Sequence, residues 1–181
     1  MENAAAADNI IYKEESAEKT SFGDKQFDLI TVAQAIHWFD FDAFYKEADR
    51  ILKPGGVLAV LGYGLFNTNA ESKKILDHFY HDITGPYSDP ERRYLDENYT
   101  TIPFPLNEKE VKQFSNTFTW TFEQLTGYLE TWSAVQHYIK KNGSSPLDII
   151  KEELKDSWEK SDKQVTFPLL LRIGITKQFN V

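Results

Sequence analysis

An α/β fold is predicted from three features that occur in succession. Phe27-Asp28-Leu29-Ile30-Thr31-Val32 is a continuous, partly β-branched run, which predicts a strand buried on both faces. Asp40 stands at a helix N-cap position. It precedes Phe41, Phe44, Tyr45, Ala48, Ile51 and Leu52, whose spacing makes one apolar stripe, with Lys46, Glu47, Asp49 and Arg50 outside it. Lys53-Pro54-Gly55-Gly56 predicts a turn that stops the helix, and Val57-Leu58-Ala59-Val60-Leu61 predicts a second buried strand. Strand, helix, turn, strand is a βαβ unit. Its two strands are expected to be parallel, with a right-handed crossover.

The flanking elements follow from the same rules. Ile10-Ile11-Tyr12 is a short β-type run. Residues 69–84 read as a helix ending at Gly85-Pro86, and residues 90–106 are rich in Pro, Tyr and charge without periodicity. Residues 67–106 are therefore predicted to be a lid or cap inserted into a single domain spanning 1–181. Residues 111–119 read as a strand. Thr121 and Gln124 have the spacing of a capping box, and the stripe Phe122, Leu125, Leu129, Trp132, Val135 and Ile139 predicts one long helix. It ends in Lys140-Lys141-Asn142-Gly143, cations and then glycine. Ser145-Pro146 opens a last helix carrying Leu147, Ile150, Leu154 and Trp158, and residues 165–175 close the chain as a strand.

Composition narrows the function. Of 181 residues, 41% are hydrophobic and 14% aromatic, enough for a core and for a pocket that takes a flat organic ligand. The net charge of −8, with Lys and Arg in pairs at most, argues against nucleic acid as a partner. No cysteine is present, which removes disulfides and thiolate metal sites. No apolar run is long enough to cross a bilayer and the N-terminus lacks the pattern of a signal peptide, so no membrane partner is expected and the cytoplasm is the default compartment. His78 and His81 lie three apart beside Asp77 and Asp82, but no third ligand follows the same logic, and no metal is expected.

Three segments carry a resemblance. Phe27-Asp28-Leu29-Ile30, then Ala33-Gln34-Ala35-Ile36-His37-Trp38-Phe39, then Arg50-Ile51-Leu52-Lys53-Pro54-Gly55-Gly56 resemble the fourth-strand to fifth-strand segment of class I S-adenosylmethionine-dependent methyltransferases. The subgroup most resembled is the trans-aconitate-methyltransferase-like enzymes acting on small molecules. Glu15-Ser16-Ala17-Glu18-Lys19-Thr20-Ser21-Phe22 resembles the loop after the third strand of that family, and Thr131-Trp132-Ser133-Ala134-Val135 resembles a lid helix.

The resemblance implies a Rossmann-like sheet of order 3-2-1-4-5-7-6, S-adenosylmethionine as cofactor and a small-molecule acceptor bearing a carboxylate or hydroxyl. By the same resemblance, Ser16, Ala17, Glu18, Ala33, Gln34, Ala35 and Trp38 bind the cofactor. His37 is the candidate catalytic base, and Trp38, Tyr63 and Trp132 line the acceptor pocket. Each has a plainer reading as well: a polar turn at Ser16, a tight turn at Ala33 to Ala35, a backbone-bonded loop histidine at His37, and core packing for Trp38, Tyr63 and Trp132. Arg92 and Arg93 have the fork that suits a carboxylate, or they face solvent.

One departure stands out. Family members begin with a strand, a glycine-rich loop and a helix, then a second strand ending in an acid; the sequence before residue 27 carries none of these, and its single glycine there is Gly23. The expectation is an N-terminally truncated sheet whose exposed edge pairs with a second copy of the chain. The rival readings are a methyltransferase-like interaction protein without catalysis, or an inactive fragment.

Overall fold

The computed structural model describes residues 7–177. Its strands are β1 (Phe27–Ala33), β2 (Leu52–Tyr63), β3 (Asn107–Lys109), β4 (Phe114–Thr119) and β5 (Gln164–Ile175). Its α-helices are α1 (Phe41–Ile51), α2 (Ala70–His78), α3 (Arg93–Asp96), α4 (Phe122–Glu130), α5 (Ser133–Asn142) and α6 (Leu147–Glu159). The strands form one sheet in the order β1-β2-β5-β3, with β4 also paired to β5. The path β1-β2-β5-β4 reproduces the 4-5-7-6 half of the expected order.

The chain divides into two compact units. Among the described residues, the first takes the chain from Ala7 to Val60, with Pro103–Glu110 and the stretch from Arg172 to Lys177; the second takes Leu61–Ile102 and Val111–Leu171. The first unit is the βαβ element, and α1 forms as its sequence predicts. The Asp40 carboxylate accepts from the Ala43 N–H at 3.0 Å, satisfying one N–H that the helix itself leaves unpaired. Phe44, Tyr45, Ala48 and Ile51 are buried, each 8% exposed or less. The expected turn at 53–56 is instead absorbed into β2, which begins directly after α1, and Gly55 takes the one positive φ there, 79°. The C-terminal end of β5 holds that segment down: Thr176 N–H donates to the Gly56 carbonyl, and its hydroxyl donates to the Lys53 carbonyl at 2.9 Å.

Two further expectations in this unit fail. Ile10 to Tyr12 form no strand, and Ile11 is 85% exposed. A β-type run becomes a strand only where a partner offers its ladder, and among the described residues none does. β1 is not buried on both faces either: Val32 is buried but Leu29 is 53% exposed, because no helix among the described residues covers that side.

The second unit packs α2, α4, α5 and α6 with the N-terminal part of β5. Phe66, Phe79, Leu125, Leu129, Leu154, Val165 and Trp158 are at its core. Leu147, Ile150, Leu154 and Trp158 are all buried, as the stripe of α6 predicts. The capping box at Thr121 is complete: its hydroxyl accepts from the Gln124 N–H, and the Gln124 side chain accepts from the Thr121 N–H at 2.9 Å. The single helix expected over 122–139 is two helices. Thr131 turns its hydroxyl onto the Tyr128 carbonyl at 2.7 Å and Trp132 takes extended backbone, ψ 133°. A side chain competing for a helix carbonyl offers the backbone a way out of the helix, and the chain restarts at Ser133. α5 ends at Gly143, φ 76°, as expected. β4 is shorter than its predicted run and exposed along its whole length.

Candidate functional site

The residues predicted to hold a cofactor lie in the first unit. Residues 15–21 form a closed loop. The Glu15 carboxylate accepts from the Ser21 N–H at 2.8 Å and from its hydroxyl, and these bonds hold the carboxyl below its usual range. Inside this ring Ser16 and Lys19 form a β-bridge, and the Ser16 hydroxyl donates to Glu18. That bond is the main reason the Glu18 carboxyl is also lowered. Glu18 further accepts from the Asp40 N–H at 3.2 Å. Its carboxylate thus braces the loop against the start of α1, while Ser16 is exposed and Ala17 half-buried.

A second clamp sits beneath. The Glu47 carboxylate accepts from the Thr20 N–H at 2.8 Å, from the Thr20 hydroxyl at 2.6 Å, and from Arg50 through Nε and Nη2. The Arg50 guanidinium, followed by the Thr20 donors, holds the Glu47 carboxyl near 2, against an ordinary 4.5. A depressed carboxyl adds stability that is whole above the unfolded value and drains away as pH falls towards the folded one. Glu47→Gln should therefore narrow its gap in melting temperature to the wild type as pH falls from about 4.5 to 2. A gap that stays constant over that interval would show that the clamp contributes nothing.

β1 ends in Ala33, exposed, and the chain turns at Gln34 with φ 53°, a left-handed conformation uncommon outside glycine. Ala35 then leads into a single 3-10 turn, Ile36–Trp38. The turn divides its aromatic pair. His37 is 5% exposed and Trp38 55%, with ring centroids 4.9 Å apart. Small side chains and a left-handed bend at a strand's C-terminal end leave room for a ligand to approach the backbone, and the exposed Trp38 stands beside it. These residues fit the cofactor that the resemblance implies.

Tyr63 and Trp132 lie in the second unit, and the structure brings them into a polar cluster. Trp132 packs edge-on against Tyr80 at 5.6 Å and Tyr128 at 6.1 Å. The Tyr128 phenol is pushed up to about 12, first by burial and then by the proximity of Tyr63, while a hydrogen bond from Trp132 and the Arg92 charge act the other way. Tyr99 is fully buried and likewise raised to about 12 by burial, with Arg92 opposing and Tyr63 reinforcing. Arg92 donates through Nε to the Tyr80 hydroxyl at 2.9 Å, and that hydroxyl donates to Asp96 at 2.7 Å. Phenols so far above neutrality are protonated donors. Three of them, one indole N–H and one guanidinium gather in a small region.

Local strain builds this cluster. α2 runs into a π turn, Phe79–Ile83, closed by the Thr84 N–H onto the Phe79 carbonyl at 2.9 Å, and Tyr80 sits inside it. Asn98 and Tyr99 are consecutive left-handed residues, φ 52° and 60°, held by the Tyr99 N–H on the Tyr94 carbonyl at 2.7 Å. Gly62 of β2 makes room for the Tyr99 ring: a Cβ there would lie 2.6 Å from Tyr99 Cε2. Tyr80, Tyr99 and Tyr128 were not singled out by the sequence, and no motif marks them. His78 pairs with Asp82 at 2.7 Å, and no group of metal-ligating residues occurs among the described residues. Nor is any helix among them long and apolar enough to cross a membrane.

An open α/β sheet with small residues just past the C-terminal end of a strand is the architecture of α/β proteins that bind a ligand at that end. Comparison with known proteins makes it specific. A family model described as a methyltransferase domain matches residues 1–60. A candidate methyltransferase of Dictyostelium discoideum is 34% identical over 179 residues, covering 94% of this chain and 68% of that protein. A ubiquinone/menaquinone biosynthesis C-methyltransferase of a Shewanella species is 36% identical over 64 residues, 35% of this chain and 26% of that one. Among solved structures, a candidate type II methyltransferase from Anaeromyxobacter dehalogenans superposes with a TM-score of 0.86 at 32% identity, covering 98% of this chain and 77% of that one. The chain belongs to the class I S-adenosylmethionine-dependent methyltransferase family.

Proposed function

We propose that this chain takes part in methyl transfer from S-adenosylmethionine to a small acceptor that carries a carboxylate. The observation that carries the acceptor class is the cluster of Arg92 with the neutral phenols of Tyr80, Tyr99 and Tyr128 and the indole of Trp132. Asp96 accepts from the Tyr80 hydroxyl and lies 3.7 Å from Arg92 Nε, so an incoming carboxylate would share that cation through the terminal N–H groups of Arg92, with the neutral phenols and the indole orienting it. The bound cofactor supplies an activated methyl group on its sulfonium. On this reading Ser16, Ala17 and Glu18 hold its adenine side. Ala33, Gln34 and Ala35 leave its approach open, and Trp38 packs against it. A carboxylate is a nucleophile without losing a proton, so the chain's task is to orient it and exclude water. His37 acts as a base only for a hydroxyl acceptor, and its burial makes that the second choice.

The test is the melting temperature with and without millimolar S-adenosylhomocysteine. A ligand at 100 times its Kd adds about 2.7 kcal/mol, a rise of several degrees. A cooperatively melting sample with no rise would overturn cofactor binding by this chain and favour the non-catalytic reading. We also propose that β1, which ends the sheet path, pairs with a second copy. Light scattering should give twice the mass of 21.0 kDa, and a monomer at all concentrations would refute this.

A further inference from the structure

The second unit contains an open pocket of about 280 Å³ that shares Tyr63 and Tyr128 with the Arg92 cluster and extends away from it along β4 and β5. Its walls are the rings of Tyr63, Phe118, Trp120, Tyr128 and Phe167, with the exposed Leu169 at the rim, and Asn116 supplies the one amide. We infer that this cavity binds a planar, uncharged aromatic molecule of one or two fused rings. The inference does not depend on methyl transfer.

Shape is the first argument. The volume lies near the lower end of the roughly 300–1,000 Å³ of small-molecule sites, which suits one or two rings and not a peptide. The walls are built before any ligand arrives. Phe167 holds Tyr63 edge-on at 5.5 Å, Tyr128 edge-on at 5.5 Å and Phe118 edge-on at 6.2 Å. Phe118 and Trp120 lie nearly parallel, 22° apart, and make a flat wall. Trp120 is fixed through its carbonyl, which accepts from the Trp158 indole at 3.2 Å. Rings that are held in place lose little freedom when a flat ligand stacks on them.

Charge is the second argument. No Lys, Arg, Asp or Glu lines the pocket, so a charged ligand set against these rings would give up hydration without a counter-charge among them. A neutral ring with one hydroxyl matches the lining, because Asn116 can accept from that hydroxyl.

The probe is 2-naphthol at pH 7, with 2-naphthoate and trimethylphenylammonium as charged analogues, measured by calorimetry on the full chain. Saturable binding of one 2-naphthol per chain is expected, with both charged analogues weaker. Phe118→Asp should weaken 2-naphthol on the order of tenfold, since it sets a carboxylate against the flat wall. Phe118 is 42% exposed, so the fold should survive. Should that variant not fold, Asn116→Lys, at an exposed position, makes the same test. Phe114→Asp is the control. Phe114 is 51% exposed and lies on the same face of β4 without lining the cavity, so binding should be unchanged. Absent binding, equal loss in both Phe variants, or tighter binding of either charged analogue would overturn the inference. So would a dimer that Phe118→Asp converts to monomer, because a second copy would then fill the face.

Discussion

Replacing Trp158 by alanine should lower stability by about 3–5 kcal/mol, the range for deleting a large buried ring. The residue is fully buried at the centre of the second unit's core, where α6 meets Phe66, Leu125, Val165 and their neighbours. The loss has two parts. One is the apolar surface of the ring and the void it leaves, which the packed aromatics around it cannot fill by collapse. The other is the indole bond to the carbonyl of the half-buried Trp120, which would lose that donor. In a domain of this size the melting temperature should fall by roughly 10–15 °C by circular dichroism. Trp158→Phe keeps most of the ring and loses mainly the hydrogen bond, so its cost should be about 1 kcal/mol. A Trp158→Ala chain melting within a few degrees of wild type would mean that the core of this unit is looser than its packing indicates.

The second large effect should fall on the acceptor. Arg92→Met removes the cation of the donor cluster but keeps much of the stem. Losing one charged partner of a carboxylate costs about 2–5 kcal/mol, so kcat/KM for a carboxylate acceptor should drop at least ~30-fold. Acceptors without a carboxylate should be unaffected. Arg92→Lys keeps the charge but not the Nε bond to Tyr80, and it should fall between the two. Equal losses for both acceptor classes would instead assign Arg92 to folding, through Tyr80 and Asp96. On the carboxylate reading, His37→Gln leaves the pH profile of the rate unchanged. A hydroxyl acceptor would need the imidazole as base, and His37→Gln would then lower the rate for that acceptor.

Much of the fold could be read from the sequence, because its signals are local. Asp40, the capping box at Thr121 and Gln124, and the left-handed Gly143 are all features of a few consecutive residues. The stripes of α1 and α6 follow from one period, and their buried residues are the ones that the period selects. The reading failed where a competitor acts over short range or where a partner strand or helix decides. The break at Thr131 and Trp132 is an instance of the first, since the apolar stripe continues unbroken across it while the Thr131 hydroxyl takes a carbonyl. Ile10 to Tyr12 and the exposed face of β1 are instances of the second.

The site divides along the same line. Ala33 to Trp38 sit together because they are contiguous after a strand, and the spacing of their motif already marked them. Tyr63 and Trp132 were visible only by resemblance. Their neighbours Tyr80, Arg92, Tyr99 and Tyr128 come from a π turn, a 3-10 turn, a left-handed pair and a helix that are far apart in the chain. The sequence by itself determined the βαβ element, the caps, the buried stripes and the family, because each depends on residue type at fixed short spacing. Only the tertiary structure decided which phenols meet Arg92, that Gly62 must yield space to Tyr99, and that five rings line one uncharged pocket. Those contacts join residues whose separation along the chain carries no period, and packing alone brings them together.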